Sequence, residues 1–306
     1  MLLVVSPSLL DTLLEPFNYG FFQKGVVVAA VSGALLGFIG VYFILRGMSY
    51  IGHGLSHAIF GGFAAAWLVG ASFIYVGAAV WGLSSALAIN WVTRRHRIGA
   101  DAAIGVITTA SFALGVALLT KYGSTGPSFD NALFGSIYGI SSDQIAMLTL
   151  ISILTGAFVF FRYRDLLFTT FDPEVAVASG VNVARIDAML MLVLSLAILA
   201  TLTVIGVTLV AAMLVIPAVV ARMLTNSFSR MLLLSTAIGA GCGLVGMYAS
   251  YFAGVPSGTM IVLTGAAVFL VVLTISGWRS LMRPAVMADH IDADTLVAAT
   301  PTTRSV

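Results

Sequence analysis

Residues 25–45 read GVVVAAVSGALLGFIGVYFIL, an apolar run without a single charged residue and without alternation of polar and apolar positions. A half-buried strand alternates with period two, and a lipid-facing barrel strand does so over about ten residues. A continuous run of this length is what an α-helix needs to cross ~30 Å of hydrocarbon at ~1.5 Å per residue. In lipid every backbone N–H and C=O must be satisfied within the protein, so helices and closed barrels are the only spanning structures, and here the helix is selected. The fold class is therefore all-α, a polytopic membrane helix bundle.

The rest of the chain repeats that pattern. The 306 residues are 60% hydrophobic and 8% charged, with mean hydropathy +1.08, whereas a soluble domain carries about 25% charged residues. Nine spans are predicted, at 25–45, 52–70, 72–93, 99–120, 142–161, 184–203, 205–222, 231–252 and 258–277, with eight to ten as the bounds. The turns inside 52–93 and 184–222 are the weakest boundaries. The transmembrane body is residues 1–283; residues 284–306, polar and partly acidic, read as a disordered tail.

Charge placement orients the bundle. Arg46, Arg94, Arg95, Arg97, Arg162, Arg164, Arg185, Arg222, Arg230, Arg279 and Arg283 all fall on one side of a nine-span chain, and only Lys24 and Lys121 fall opposite. Lys and Arg accumulate in cytoplasmic loops, so that side is predicted to be cytoplasmic, with the N-terminus outside and the C-terminus inside. The small net charge of +2 says nothing about nucleic acid, and no nucleic acid is expected as a partner. The start MLLVVSPSLLDTLLEPF lacks a basic region and carries Asp11 and Glu15, so it reads as an interfacial amphipathic segment and not as a cleaved signal. The single cysteine, Cys242, excludes an internal disulfide framework.

Two connecting segments stand out. The outer loop 121–141 contains LFGSIYG, which suits a short interfacial or re-entrant helix. The inner loop 165–186 reads as one short helix. Thr170 and Asp172 are both candidates for its N-cap, Pro173 suits the first turn, Glu174 suits the positive end of the dipole, and Gly180 suits the stop. A short capped helix on the cytoplasmic side has the form of a docking element for a soluble partner; a plain connector is the alternative.

Few ionisable residues remain in or near the spans: His53, His57, Asp101 and Asp187. His53 and His57, in IGHGLSHAIF, are four residues apart and so share a helix face. An imidazole in a span is costly without a partner or a passenger. Two on one face, with Asp101 opening the fourth span at similar depth, make a candidate first shell for Zn²⁺ or Mn²⁺, with nitrogen donors leaning to zinc. The alternative is hydrogen bonding of each histidine to a neighbouring helix, a capping role for Asp101 and an interfacial one for Asp187. HGLSH lacks the Glu of the zincin H-E-x-x-H, because Gly54 stands there, which argues against a metalloprotease. No P-loop motif occurs, so any ATP-driven work needs another polypeptide. Pro217 breaks the hydrogen-bond ladder of the seventh span, read as a kink beside the pathway or as ordinary bending.

These residues fall into recognisable blocks. RGMSYIGHGLSHAIFGG resembles the R-x-M-S-x-x-G-D-x-L-S-H-A segment of the membrane subunits of metal-uptake ABC transporters of the ABC-3 type. LFGSIYGIS, FDPEVAVASGV and VIGVTLVAAMLVIPAVVARMLTNSFSRML are similar, in collinear order, to that family's outer-loop, cytoplasmic-helix and I-P-A-x-x-A-R segments. The resemblance covers about residues 15–280. It implies a homodimeric permease for zinc, manganese or iron(II), with no cofactor and no ATP hydrolysis of its own. Cytoplasmic ATPase subunits would dock around Asp172–Gly180, and an extracytoplasmic metal-binding protein would deliver the cargo. His57, Ser56 and Asp101 match family positions, while His53 stands where many members carry Asp. A stand-alone metal/proton antiporter is the competing expectation, although such a protein would want more acidic residues in its spans.

Overall fold

The computed structural model of the chain describes residues 14–70, 73–95, 99–122 and 140–281. LFGSIYG and the 284–306 tail lie outside the described residues. Among the described residues, after a short 3₁₀ turn at Glu15–Asn18, nine long helices occupy the nine predicted spans. They are α1 (Gly20–Leu45), α2 (Ile51–Trp67), α3 (Ile74–Arg95), α4 (Ala100–Tyr122), α5 (Ser142–Phe161), α8 (Val183–Ile205), α9 (Val207–Leu224), α10 (Phe228–Ala253) and α11 (Ser257–Leu281). Two short helices, α6 (Tyr163–Phe171) and α7 (Pro173–Ala178), fill the inner connection.

Seven of these helices are long and apolar enough to cross a membrane; α2 and α9, at 17 and 18 residues, are the short ones. Shortness is tolerable because neighbours and not lipid surround them: α2 buries 12 of its 17 residues against α3, α4 and α9. The bundle centres on α1, whose apolar window is 72% buried, whereas that of α11 is 17% buried and faces outward.

Backbones, not bulky side chains, make the tightest contact. Ala29, Gly33 and Gly37 of α1 lie against Gly243, Gly239 and Ser235 of α10, so the two helices run antiparallel. Small residues four apart let helix axes approach where apolar lipid supplies no hydrophobic drive. Ser235 Oγ donates to the Gly37 carbonyl at 2.5 Å across this seam. Elsewhere hydroxyls turn back on their own helix, as Thr108 Oγ1 to the Ile104 carbonyl and Thr201 Oγ1 to the Ala197 carbonyl, which hides their polarity. Between α8 and α9 the chain reverses through Gly206 alone, at φ +87°, a backbone setting that L side chains rarely adopt.

The two ends of the bundle differ. At the Arg-rich end the termini of α1, α3 and α8 converge with α6 on Arg46, Arg94 and Asp187. At the other end Phe17, Phe22, Tyr248 and Tyr251 pack as a ring cluster, the composition of a membrane-interface belt.

The inner connection corrects one expectation. It is two helices, not one, broken at Asp172 (φ −149°, ψ 87°). Pro173 disfavours helical backbone at the residue before it, so α6 stops at Phe171 and a new helix begins at the proline.

Candidate metal pathway and docking segment

His53 and His57 lie in the first two turns of α2, at the Arg-rich end. Their rings meet edge to face with centroids 4.5 Å apart. At a metal–nitrogen distance of about 2.0–2.1 Å, two imidazoles sharing one ion have centroids roughly 5 Å apart, so small ring rotations bring both to one ion. His53 is exposed and meets Tyr50 edge to face (5.6 Å), while His57 is half-buried against Phe112 of α4 (4.9 Å). Ser56 Oγ donates to the His53 carbonyl at 2.9 Å and is fully buried. His57 Nδ1 is buried and has no hydrogen-bond partner. The structural alternative read from the sequence, a histidine tied to a neighbouring helix, is thus not what Nδ1 does.

Asp101 takes a different place. Gly54 of α2 packs against Ile104 and Thr108 of α4, and Gly61 against Ser111 and Gly115, so the two helices run parallel. Asp101, one turn before Ile104, therefore stands nearer the Arg-rich end than the histidines and is exposed. Among the described residues no group of three or more His, Cys, Asp or Glu side chains comes together around a metal-sized site. One chain brings the histidine pair together and does not add Asp101 to it.

Pro217 is buried inside α9. Its Cβ lies 3.4 Å from where a Cβ at Gly37 would stand, so the ring packs into the α1–α10 seam.

The candidate docking segment is built as its residues suggest. Asp172 accepts from the Val175 N–H at 3.0 Å and caps α7; Thr170 does not. Pro173 takes the first turn, and Gly180 closes the segment at φ +79°. Only Ala176 of the six α7 residues is buried, leaving Glu174, Val175 and Val177 on the surface. α7 thus presents two exposed valines beside one acid.

Sequence reasoning missed one constellation. Asp187 is not merely interfacial beside Arg185: its two oxygens receive Arg46 Nη1 at 2.6 Å and Arg94 Nη2 at 2.5 Å. The partners are 141 and 93 residues away, beyond any local pattern. The available signal was an arginine at the end of one span and an acid at the start of another, on the same side.

The ABC 3 transport family model matches residues 18–276, through every element described above from α1 to α11. The chain belongs to the ABC 3 transport family. Among its relatives, the "Manganese transport system membrane protein MntC" of Listeria innocua is 37% identical over 83% of this chain and 90% of its own length. The "Chelated iron transport system membrane protein YfeC" of Yersinia pestis is 33% identical over 86% and 88%. The solved structure titled "PsaBC from Streptococcus pneumoniae in complex with Fab" superimposes with TM-score 0.76 at 31% identity, covering 87% of this chain and 95% of that one. As an ABC 3 permease the chain is a multi-pass membrane protein and the partner of an ATPase, not itself the ATP-hydrolysing subunit. Membership sets aside the stand-alone antiporter.

Proposed function

We propose that this permease imports a divalent first-row transition metal ion past His53 and His57, driven by ATPase subunits bound at α7. The observation that carries the reading is the buried, unpartnered His57 Nδ1 beside a second imidazole, in a helix sheltered from lipid. A nitrogen lone pair left without a partner in the membrane is costly unless something visits it.

Manganese is the leading cargo, because the relatives matching at 36–38% identity are named for manganese transport. Zinc is the second reading, and the two imidazole donors favour it; the relatives' names give that preference no support. Two nitrogens do not complete a metal shell, and His53 is exposed. A homodimer with two pairs facing one axis supplies four. In this reading the Arg-rich end is the cytoplasmic one, supported by the bias of arginine toward cytoplasmic loops, with the N-terminus outside, the C-terminus inside, and α7 within reach of the ATPase. A metal-binding protein delivers cargo at the opposite face. Together these place the complex in the cell membrane.

The test is transport in liposomes holding the whole complex, with manganese, zinc and iron(II) compared directly. ATP-dependent accumulation of one or more of them, lost in His57→Ala, is the expected result. Accumulation that survives His57→Ala in a properly assembled complex removes the histidine from the path.

A further inference from the structure

We propose that Arg46 is the positioning residue that links the ATPase-docking segment to the metal-bearing helix, with Asp187 as the counter-charge that holds it. The inference rests on the reading of α7 as the docking segment and of α2 as the metal helix.

Arg46 uses its whole guanidinium fork. Nη1 donates to Asp187 Oδ1 at 2.6 Å, Nη2 to Thr169 Oγ1 at 2.9 Å, and Nε to Thr170 Oγ1 at 3.2 Å. Three acceptors on two elements, α6 and α8, are thus gathered by one side chain that is 11% exposed. A planar five-donor group can do this; a lysine ammonium on its flexible stem cannot hold the same three directions. Arg94, from the end of α3, takes the other oxygen of Asp187. Removing Asp187 would therefore leave two arginines facing each other without an anion.

Position gives the contact its consequence. Thr169 and Thr170 end α6, and Thr170 lies two residues before Asp172, the cap of α7. Arg46 ends α1, and seven residues later stands His53. The turn between them is hydrogen-bonded, Met48 N–H to the Phe43 carbonyl at 2.9 Å and Ile51 N–H to the Met48 carbonyl at 3.2 Å. Tyr50 then touches the His53 ring. A displacement of α7 reaches the first turn of α2 through α6, one guanidinium and one stiff turn.

The other fastening of α6 is to α10 and α1. Phe228 of α10 lies against Tyr163 and Phe171, at the two ends of α6, and against Tyr42 of α1. The Tyr163 hydroxyl also lies 3.1 Å from Ser229 Oγ of α10, but at the start of α6, away from α7; in the last turn, which leads into α7, the directed bonds are those from Arg46, so displacement of α7 is carried there. A cleft of about 750 Å³ beside Arg46, Thr170 and Glu174 leaves room for that movement.

The experiment uses the complete complex in liposomes and measures assembly, ATP hydrolysis and metal moved per ATP. Asp187→Asn and Arg46→Lys are expected to assemble and hydrolyse ATP within about twofold of wild type, while metal moved per ATP falls about tenfold. Asp187→Glu, which keeps the anion, is expected to recover the ratio to within about threefold. An unchanged ratio overturns the inference, as does a proportional fall of transport and hydrolysis, which marks a merely structural role. Should Asp187→Asn fail to assemble, the double variant Thr169→Val/Thr170→Val keeps the ion pairs, removes two acceptors and is read the same way. A wild-type complex that moves no metal overturns the proposed cargo and this link together; wild-type transport with unchanged variants overturns the link alone.

Discussion

Gly33 and Gly239 meet backbone to backbone: a Cβ added to either would stand 2.1 Å from the carbonyl oxygen of the other. The obstacle is main chain on both sides, so no rotamer change relieves it. This pair, with Gly37–Ser235 and Gly243–Ala29 a turn away on either side, sets the distance between α1 and α10 and so the centre of the bundle.

Gly33→Val and Gly239→Val are each expected to separate the helices and destabilise the fold by at least about 1–3 kcal/mol, the ordinary cost of overpacking. Thermal unfolding in detergent checks this, with Gly156→Ala as control. Nothing lies within 4 Å of a Cβ at Gly156, and an alanine there should be neutral or stabilising by up to about 1 kcal/mol. Equal melting of the Val variants and wild type would contradict the packing argument.

Ser235→Ala removes a buried interhelical hydrogen bond to the Gly37 carbonyl without adding bulk. The expected loss is about 0.6–1.7 kcal/mol, smaller than for the glycine variants. Their rank order in the same unfolding assay is the check.

His57→Ala should reduce ATP-dependent metal uptake to background while leaving pull-down of the ATPase intact, because His57 lies on α2 and not at α7. His53→Asp exchanges a nitrogen donor for a hard, anionic oxygen donor, which suits manganese better than zinc. The expected result is a higher manganese-to-zinc transport ratio, measured by competition between the two ions. A ratio that stays constant or moves toward zinc would detach His53 from cargo choice.

Glu174→Lys reverses the one charge in the first turn of α7 and places a cation at the positive end of the helix. Weaker ATPase capture and normal membrane insertion are expected. Capture at the wild-type level counts against α7 as the docking surface.

Much of the architecture was legible in hydropathy. All nine predicted spans are helices, and the parity required by the arginines agrees with the convergence of Arg46, Arg94 and Asp187 at one end. The histidine pair was legible because i and i+4 share a face in any helix. Asp101 did not join it, because depth along α4 depends on how Gly54 seats against Ile104, a contact between distant segments. The break between α6 and α7 is signalled by Pro173, yet both halves favour helix, so the loop by itself reads as one. The sequence around Asp187 offers only its neighbour Arg185, while its partners come from α1 and α3.

The sequence by itself determined where the long apolar helices run and which loops between them carry the positive charge. That follows from lipid, which forces each spanning segment to close its own hydrogen bonds and so makes a span a local property. Only the tertiary structure decided which glycine backbones touch, that His57 Nδ1 is left without a partner, and that Arg46 reaches Asp187 and two threonines. Those outcomes depend on the rotation and depth of one helix against another, which packing sets jointly for all of them and no single segment encodes.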